Sequence, residues 1–424
     1  MEHVLTDHRK RRDFHVSELI TGCIVMFLLH ENSRHGFNQD RREEQFYDNY
    51  LKIFKLRLPH MDTVNDFIEK LPTDELELLK ATLICGLIEQ KVFHRFKLLG
   101  KHFMIAIDGT GTNSYKENDE QQSRLSRTSK NGNVTYYHYV VEAKLVTSSG
   151  LSVSIASEMI ANEGKRNFNK QDCEQRAFER LAVKIKKYFP RLPICILADG
   201  LYPNKTFMKV CSDNDWAFIV VLQDDNLKRL QEDIKDVENK NRHSVEQNIV
   251  EAKGTKHIQR IYQWITEPLS HAGFTLYWLS CTETITIKSK NNCQPPKVAT
   301  TRFVYITNQP IDKDNVNHFA NAGRLRWKIE NEGFNTQKNG GYNLGHKFSR
   351  KSFTAYKNYY QCMQIAHTIN QLVIHSEDIA HLINTNAMLT IKHLWKNLMA
   401  LLKMCVVKEA DIATQGRFQI RLAG

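Results

Sequence analysis

Along residues 1–98 apolar side chains recur every three or four positions, through Leu19–Leu29, Phe46–Phe54 and Leu76–Ile88, with few β-branched runs. That spacing lines one face of a helix, so a helical N-terminal domain is predicted. Leu58-Pro59-His60-Met61-Asp62-Thr63 reads as a break and a restart, with Asp62 or Thr63 able to accept the unbonded N–H groups of the new first turn. From Lys101 the texture changes. His102-Phe103-Met104-Ile105-Ala106-Ile107 is a short β-rich run that stops at Asp108-Gly109-Thr110-Gly111, and the polar stretch from Asn113 to Asn133, which has no apolar period, reads as a long loop. Val134–Thr147 and Leu151–Met159 form two strands around Ser148-Ser149-Gly150, a hairpin turn by composition. An amphipathic helix follows from about Asp172 to Tyr188. After it come a strand, Ile194-Cys195-Ile196-Leu197-Ala198, that ends at Asp199-Gly200, a helix around Lys205–Asp213 and a strand at Ala217–Leu222.

Three strands able to pair antiparallel, a helix, then strand, helix and strand is the order of a mixed α/β sheet and not of an all-parallel doubly wound one. Residues 224–300 interrupt it with charged helical sequence at Lys228–Lys240, β-type runs at Ile258–Ile265, Phe274–Leu279 and Thr284–Ile287, and a Pro-Pro turn at 295–296. Core-like sequence resumes at Arg302-Phe303-Val304-Tyr305-Ile306-Thr307, and one helix is expected from about Asn315 to Lys338. The expected organisation is therefore a helical domain at 1–98, a core at 99–223 and 301–349, a β-rich insertion at 224–300 and a basic helical region at 350–424. No internal repeat or low-complexity segment is visible.

Composition narrows the class. Of 424 residues 41% are apolar and 10% aromatic, enough for packed cores and incompatible with disorder throughout. The longest apolar stretch, Leu19 to Leu29, falls short of the ~18 residues of a bilayer span, and no membrane partner is expected. Arg9-Lys10-Arg11-Arg12 precedes that stretch, but no small-residue cleavage site follows, so a signal peptide is not expected. Nine cysteines without a CxxC pair predict reduced, mostly buried thiols in a cytoplasmic protein, not a disulfide framework or zinc ribbon. With 59 Lys and Arg against 47 Asp and Glu the formal charge is +12, which points to a polyanion. The excess is concentrated from Phe319 to Gly424, where 14 basic residues face 6 acidic ones.

Two aspartates stand at the ends of apolar strands, each followed by glycine: Asp108-Gly109 and Asp199-Gly200. Asp-Gly is a common turn. The pair says more than either alone, because the first and fourth strands of such a sheet are expected to be neighbours, with glycine leaving the backbone beside each carboxylate open. A third acid comes from Arg326-Trp327-Lys328-Ile329-Glu330-Asn331-Glu332, where Arg326 and Glu330 fall on one helical face and Gln337 returns to it two turns later. An ordinary surface ion pair is the competing reading of that spacing. Three carboxylates on a basic protein suit hard cations, Mg²⁺ or Mn²⁺, over zinc. Two such ions activate a water or a 3′-hydroxyl and stabilise the leaving oxygen in displacement at phosphorus, so metal-assisted phosphodiester chemistry is the reaction class to test.

The strings Ile107-Asp108-Gly109-Thr110-Gly111, Lys170-Gln171-Asp172-Cys173-Glu174, Ala198-Asp199-Gly200-Leu201-Tyr202, Arg326-Trp327-Lys328-Ile329-Glu330-Asn331-Glu332-Gly333-Phe334-Asn335 and Gly341-Tyr342-Asn343-Leu344 resemble those of DDE-type transposases of the insertion-sequence-four group. The resemblance runs in order from about Leu98 to Leu372. It implies an α/β, RNase H-like core with a β insertion between the second Asp and the Glu. It further implies Asp108, Asp199 and Glu330 as the catalytic, metal-binding triad for two Mg²⁺ (or Mn²⁺) ions, with Arg326 as a contact to DNA phosphate near the cleaved end. Two positions depart from the family's pattern. Gly323 stands where the signature has tyrosine, and Gln337 where it has lysine, with Lys338 one step on as the DNA-contacting alternative. Glu332 rivals Glu330 as metal ligand. The implied partners are double-stranded DNA, both element terminal inverted repeats and target, and a second copy of the chain in the DNA complex, in a prokaryotic cytoplasm and nucleoid-associated when bound. A catalytically inactive DNA-binding descendant and a nuclease lacking strand transfer are the alternative functions.

Other residues carry a structural and a functional reading side by side. Asp172 and Glu174 suit a helix start, where the dipole favours acids. Trp327 is expected to pack on the sheet, and His346 to lie in a loop. Trp264 and Trp278 are core residues or platforms for an unpaired base. Arg9–Arg12 is a phosphate-contacting arm or an ordinary basic terminus.

Overall fold

The computed structural model describes residues 4–119, 124–161, 173–240, 244–253, 256–287, 296–386, 389–412 and 420–422. The expectations at Lys170–Asp172, Cys293 and Pro295 lie outside these residues. The N-terminal helices are α1 (Val16–Leu28), α2 (Arg34–Arg42), α3 (Glu44–Phe54), α4 (Met61–Ile68) and α5 (Thr73–Glu89). The restart after Pro59 is capped differently from the expectation. His60 Nδ1, not Asp62 or Thr63, accepts the Asp62 N–H at 3.3 Å. The helix therefore starts at Met61, two residues before an Asp62 cap would start it, and Asn38 Oδ1 accepts the Met61 N–H at 2.8 Å.

The strands and later helices follow as β1 (Phe103–Tyr115), β2 (Leu125–Thr128), β3 (Val134–Val146), β4 (Ser152–Ile160), α6 (Glu174–Tyr188), β5 (Ile194–Ala198), α7 (Lys205–Asp213), β6 (Ala217–Val221) and α8 (Lys228–Asn239). Then come β7 (Ser244–Lys253), β8 (Lys256–Trp264), β9 (Leu269–His271), β10 (Phe274–Ile287), β11 (Lys297–Thr307), α9 (Val316–Arg324), α10 (Thr336–Asn339), α11 (Phe353–Ile374), α12 (Glu377–Thr385) and α13 (Ile391–Met404). Among the described residues no helix is long and apolar enough to cross a membrane.

Two features differ from the pattern-based reading of the core. The polar segment after Asn113 is not wholly loop: β1 runs on through Tyr115, and β2 pairs antiparallel with the start of β3, Leu125 opposite Tyr137 and Thr128 opposite Val134. Of β2 only Leu125 is buried, so ladder hydrogen bonds hold it without an apolar alternation to announce it. The helix expected at Asn315–Lys338 is broken as well. Bonds from Leu325 N–H to Ala322 O (2.9 Å) and from Arg326 N–H to Gly323 O (3.4 Å) tighten the chain after α9. Residues Ile329–Asn335 then widen into a π-helix before α10. Periodicity read from sequence assumes a constant 3.6 residues per turn, which this segment does not keep.

Cα proximity groups the chain into two compact units: Met1–Phe93 with Gly109–Pro190 and Lys328–Gly424, and His94–Asp108 with Arg191–Trp327. In the first, α1 packs on α11 around Leu19, Phe27, Phe46 and Tyr359, and β4 is covered by α5, α6 and α11. There β3 carries β4 in an antiparallel hairpin, Tyr139 opposite Ile160, that turns through Gly150 at φ +101°. In the second unit β1, β5 and β6 pair in parallel, β6 pairs antiparallel with β11, and β11 continues into β10, β8 and β7. The strands of the 224–300 segment therefore extend the sheet, with β10 as one continuous strand where two runs were expected. The order β4-β3-β1-β5-β6 is that of an RNase H-like sheet, and the fold is mixed α/β with helical N- and C-terminal regions.

Candidate active site

Strands β1 and β5 are parallel, with Phe103 opposite Ile194 and Ala106 opposite Leu197. Asp108 and Asp199 each stand two residues beyond that last pair, so the register brings them to neighbouring positions on strands that run about 4.8 Å apart; Asp199 follows the end of β5, but Asp108 lies within β1, which runs on to Tyr115 and does not end there as expected. Both are half-buried. Asp199 is oriented by its own turn: Oδ1 accepts the Leu201 N–H at 2.9 Å. Asp108 faces Arg326, whose Nη1 lies 3.6 Å from Oδ2 and whose side chain is only 9% exposed.

The glycines after these aspartates do not leave open space. A Cβ on Gly109 would meet the Tyr139 ring at 2.5 Å and Glu174 Oε1 at 2.8 Å, and one on Gly200 would overlap the Gln223 side chain. Asn226 Nδ2 donates to the Gly200 carbonyl. Each glycine is thus the surface against which a neighbouring side chain packs. Tyr139 donates from its hydroxyl to Glu174 Oε1 at 2.5 Å, making a rigid pair beside the backbone that follows Asp108. Sequence reasoning placed Glu174 only as a helix start and passed over Tyr139. The aromatic run Tyr136-Tyr137-His138-Tyr139 on a strand was the available signal.

Arg326 sits in the tightened turn after α9, and Glu330 in the π-helical stretch, so the one regular α-helix expected at Asn315–Lys338 is interrupted between them. The same turn overturns the expectation for Trp327. It is 53% exposed, its ring 5.7 Å from the Arg326 guanidinium, and it does not pack on the sheet. At Gly323 the space of a side chain is filled by the Tyr305 ring from β11, whose Cε1 would lie 2.7 Å from an added Cβ.

Glu330 is half-buried. Its rival Glu332 is held by Lys328, with Nζ 2.5 Å from Oε1, while the Glu332 carbonyl accepts from Gln371 Nε2 at 3.1 Å. Gln337 is fully buried and hydrogen-bonded to Gln364 at 2.8 Å, whereas Lys338 is exposed and donates to Thr110 Oγ1 at 2.7 Å. Of the two, only Lys338 lies on a surface that a ligand can reach.

The donors of Asp108 and Asp199 are carboxylates, which fit a hard divalent cation better than a soft one. Among the described residues no group of three or more His, Cys, Asp or Glu side chains is gathered to hold a metal, so the observed juxtaposition is that of Asp108 and Asp199.

Trp264 and Trp278 are buried. His346 lies in a turn, with its ring on Phe348. Arg9 and Arg12 both pair with Asp7, and the Arg9 hydrogen bond is the main cause that holds the Asp7 carboxyl below its usual pKa. No family model matches the chain, and no curated protein matches it.

Proposed function

We propose that this chain is a DNA transposase of the DDE type, which cleaves DNA at the ends of its element and joins the freed 3′ ends to target DNA. The reading rests on one observation above the others: the register of β1 and β5 carries Asp108, within β1, and Asp199, just past the end of β5, to neighbouring positions. The family resemblance adds Glu330 as third ligand and DNA as substrate. Asp108, Asp199 and Glu330 would hold two Mg²⁺ or Mn²⁺ ions. When bound, such ions activate the attacking water or 3′-hydroxyl and neutralise the leaving oxygen.

The chain's own contribution is positioning. The Asp199 turn fixes one carboxylate, and Arg326 holds its positive charge beside the other. Lys338, exposed next to Thr110, is the residue assigned to a phosphate of the transferred strand. The basic excess from Phe319 onward favours DNA and makes binding steeply salt-dependent. Terminal inverted repeats, target DNA, a homodimer on DNA and a nucleoid-associated cytoplasmic location belong to the same reading.

The test is Mg²⁺-dependent cleavage of DNA bearing element ends. Asp108→Ala, Asp199→Ala and Glu330→Ala are each expected to lower it at least ~10³-fold with DNA binding retained, while Glu332→Gln keeps it. Full cleavage by Glu330→Ala overturns that assignment. Retained cleavage without joining of a pre-cleaved end indicates a nuclease, and DNA binding without any cleavage indicates an inactive descendant.

A further inference from the structure

A second site lies in the first unit, away from the two aspartates in sequence. A cavity of about 690 Å³ is lined by the end of α1, the Gly340-Gly341 turn after α10, and α13. Along α13, Ile391, Trp395 and Met399 recur every four residues and form an apolar wall, and Lys392 and Lys396, also four apart, run beside it and are exposed. Lys338 completes the basic edge and donates to Thr110 Oγ1 at 2.7 Å. Trp395 is 7% exposed, lies 5.1 Å from the His30 ring, and its indole N–H has no acceptor among the described residues.

The charge of the lining is one-sided. His30 is neutral near pH 7, because burial pulls its pKa to about 4. Glu31 is the one acid among the described lining residues, and burial, then the neighbouring Asp40, pushes its pKa up to about 7. Three lysines over an apolar, aromatic wall match a ligand with a flat apolar part and at least one phosphate. The volume lies within the ~300–1,000 Å³ of ligand pockets, which admits one nucleotide and excludes a duplex. A base enters such a pocket only when it is out of its stack.

We propose that this cavity holds one unpaired nucleotide of a DNA strand, its base against the Trp395–Met399 wall and its phosphates on Lys338, Lys392 and Lys396. The proposal deepens the transposase reading and rests on it for the choice of DNA as the polyanion. Lys392 and Lys396 are exposed, so their replacement leaves the core intact.

The experiment compares the full chain with the Lys392→Ala/Lys396→Ala variant by fluorescence anisotropy on a labelled twelve-residue oligothymidine and on a duplex of equal length, at several salt concentrations. The expected result is an affinity for the single strand at least ~10-fold weaker, a salt slope shallower by about 1.4, and a smaller loss on the duplex. An oligonucleotide with abasic sites should bind the unmodified chain more weakly than oligothymidine does. Unchanged affinity for the single strand, or equal losses on both DNAs, overturns the proposal. So does displacement of the label by oligoglutamate as readily as by unlabelled oligothymidine, which marks an acidic-peptide site. Cleavage assays on the same preparations separate the two readings. If the unmodified chain cleaves nothing while the variant still loses the single strand, the transposase reading falls and the nucleotide cavity stands. If cleavage is normal and single-strand affinity is unchanged, the cavity proposal falls and the transposase reading stands.

Discussion

The surroundings of Asp108 and Asp199 and the interior around β3 and β4 use the same residue types differently. In the interior, Lys80 and Lys144 are wholly buried. Lys80 Nζ donates to Ser154 Oγ at 2.8 Å and Ser157 Oγ at 3.2 Å, and Lys144 Nζ to Gln364 Oε1 at 2.9 Å. Glu77 accepts the Ser157 N–H and pairs with Lys184, and Glu142 accepts from the Tyr360 hydroxyl. Charge there is matched by opposite charge and hydrogen bonds, which is the condition for burying it at all. Where β1 and β5 part, Asp108 and Asp199 stand on adjacent segments, both half-buried, with the Arg326 guanidinium 3.6 Å from Asp108. Two carboxylates on neighbouring segments suit the capture of a cation. A charged residue's role is therefore told by its surroundings and not by its type.

The largest break in this comparison should come from Lys80→Ala, which removes a buried cation and leaves acids behind: about 3–5 kcal/mol of stability lost, read by urea denaturation. Next is a pH effect. Burial is the main cause that lowers the Lys144 pKa from 10.5 to about 8, so between those values the unfolded chain binds the extra proton and stability rises with pH. Between about pH 8 and pH 10 the unmodified chain should gain about 2 kcal/mol relative to Lys144→Met; equal slopes for both proteins would show that Lys144 is not the group responsible. Asp199→Asn is expected to change stability by no more than about 0.5 kcal/mol while cleavage is lost, and a large destabilisation would move Asp199 into the structural class. Smallest is Asp213→Ala, which removes the exposed Lys209–Asp213 pair four residues apart on α7; about 0.3–0.5 kcal/mol is expected in the same denaturation series.

Much of the architecture was legible because it obeys local rules. The hairpin of β3 and β4, the helix ending at Tyr188, and strands β5 and β6 were read within a residue or two, since alternation, turn residues and caps act over short ranges. Strand β2 was not, because a strand held by its partner's hydrogen bonds needs no apolar alternation of its own. Trp327 was misplaced for a related reason: the tightened turn and π-helical stretch change the angle between successive side chains, so counting residues from Arg326 no longer gives the face. The buried lysines were illegible too. A lysine on α5 looks solvent-directed until the serines of β4 and the acids around it are known.

For the site, the sequence alone determined which residues were eligible: two Asp-Gly strand ends, an acidic and basic helix, and a basic tail. Chain order already implied that the strands carrying the aspartates would be neighbours, whereas the ending of β1 at Asp108 was misread, since the strand runs on to Tyr115. Only the tertiary structure decided that β1 and β5 pair in parallel and in register, that Lys328 occupies Glu332, that Gln337 turns inward while Lys338 stays outside, and that α13 lines a basic cavity with α1. Those outcomes depend on contacts between residues far apart in the chain. Their energies come from burial and from hydrogen-bond partners that no local spacing specifies.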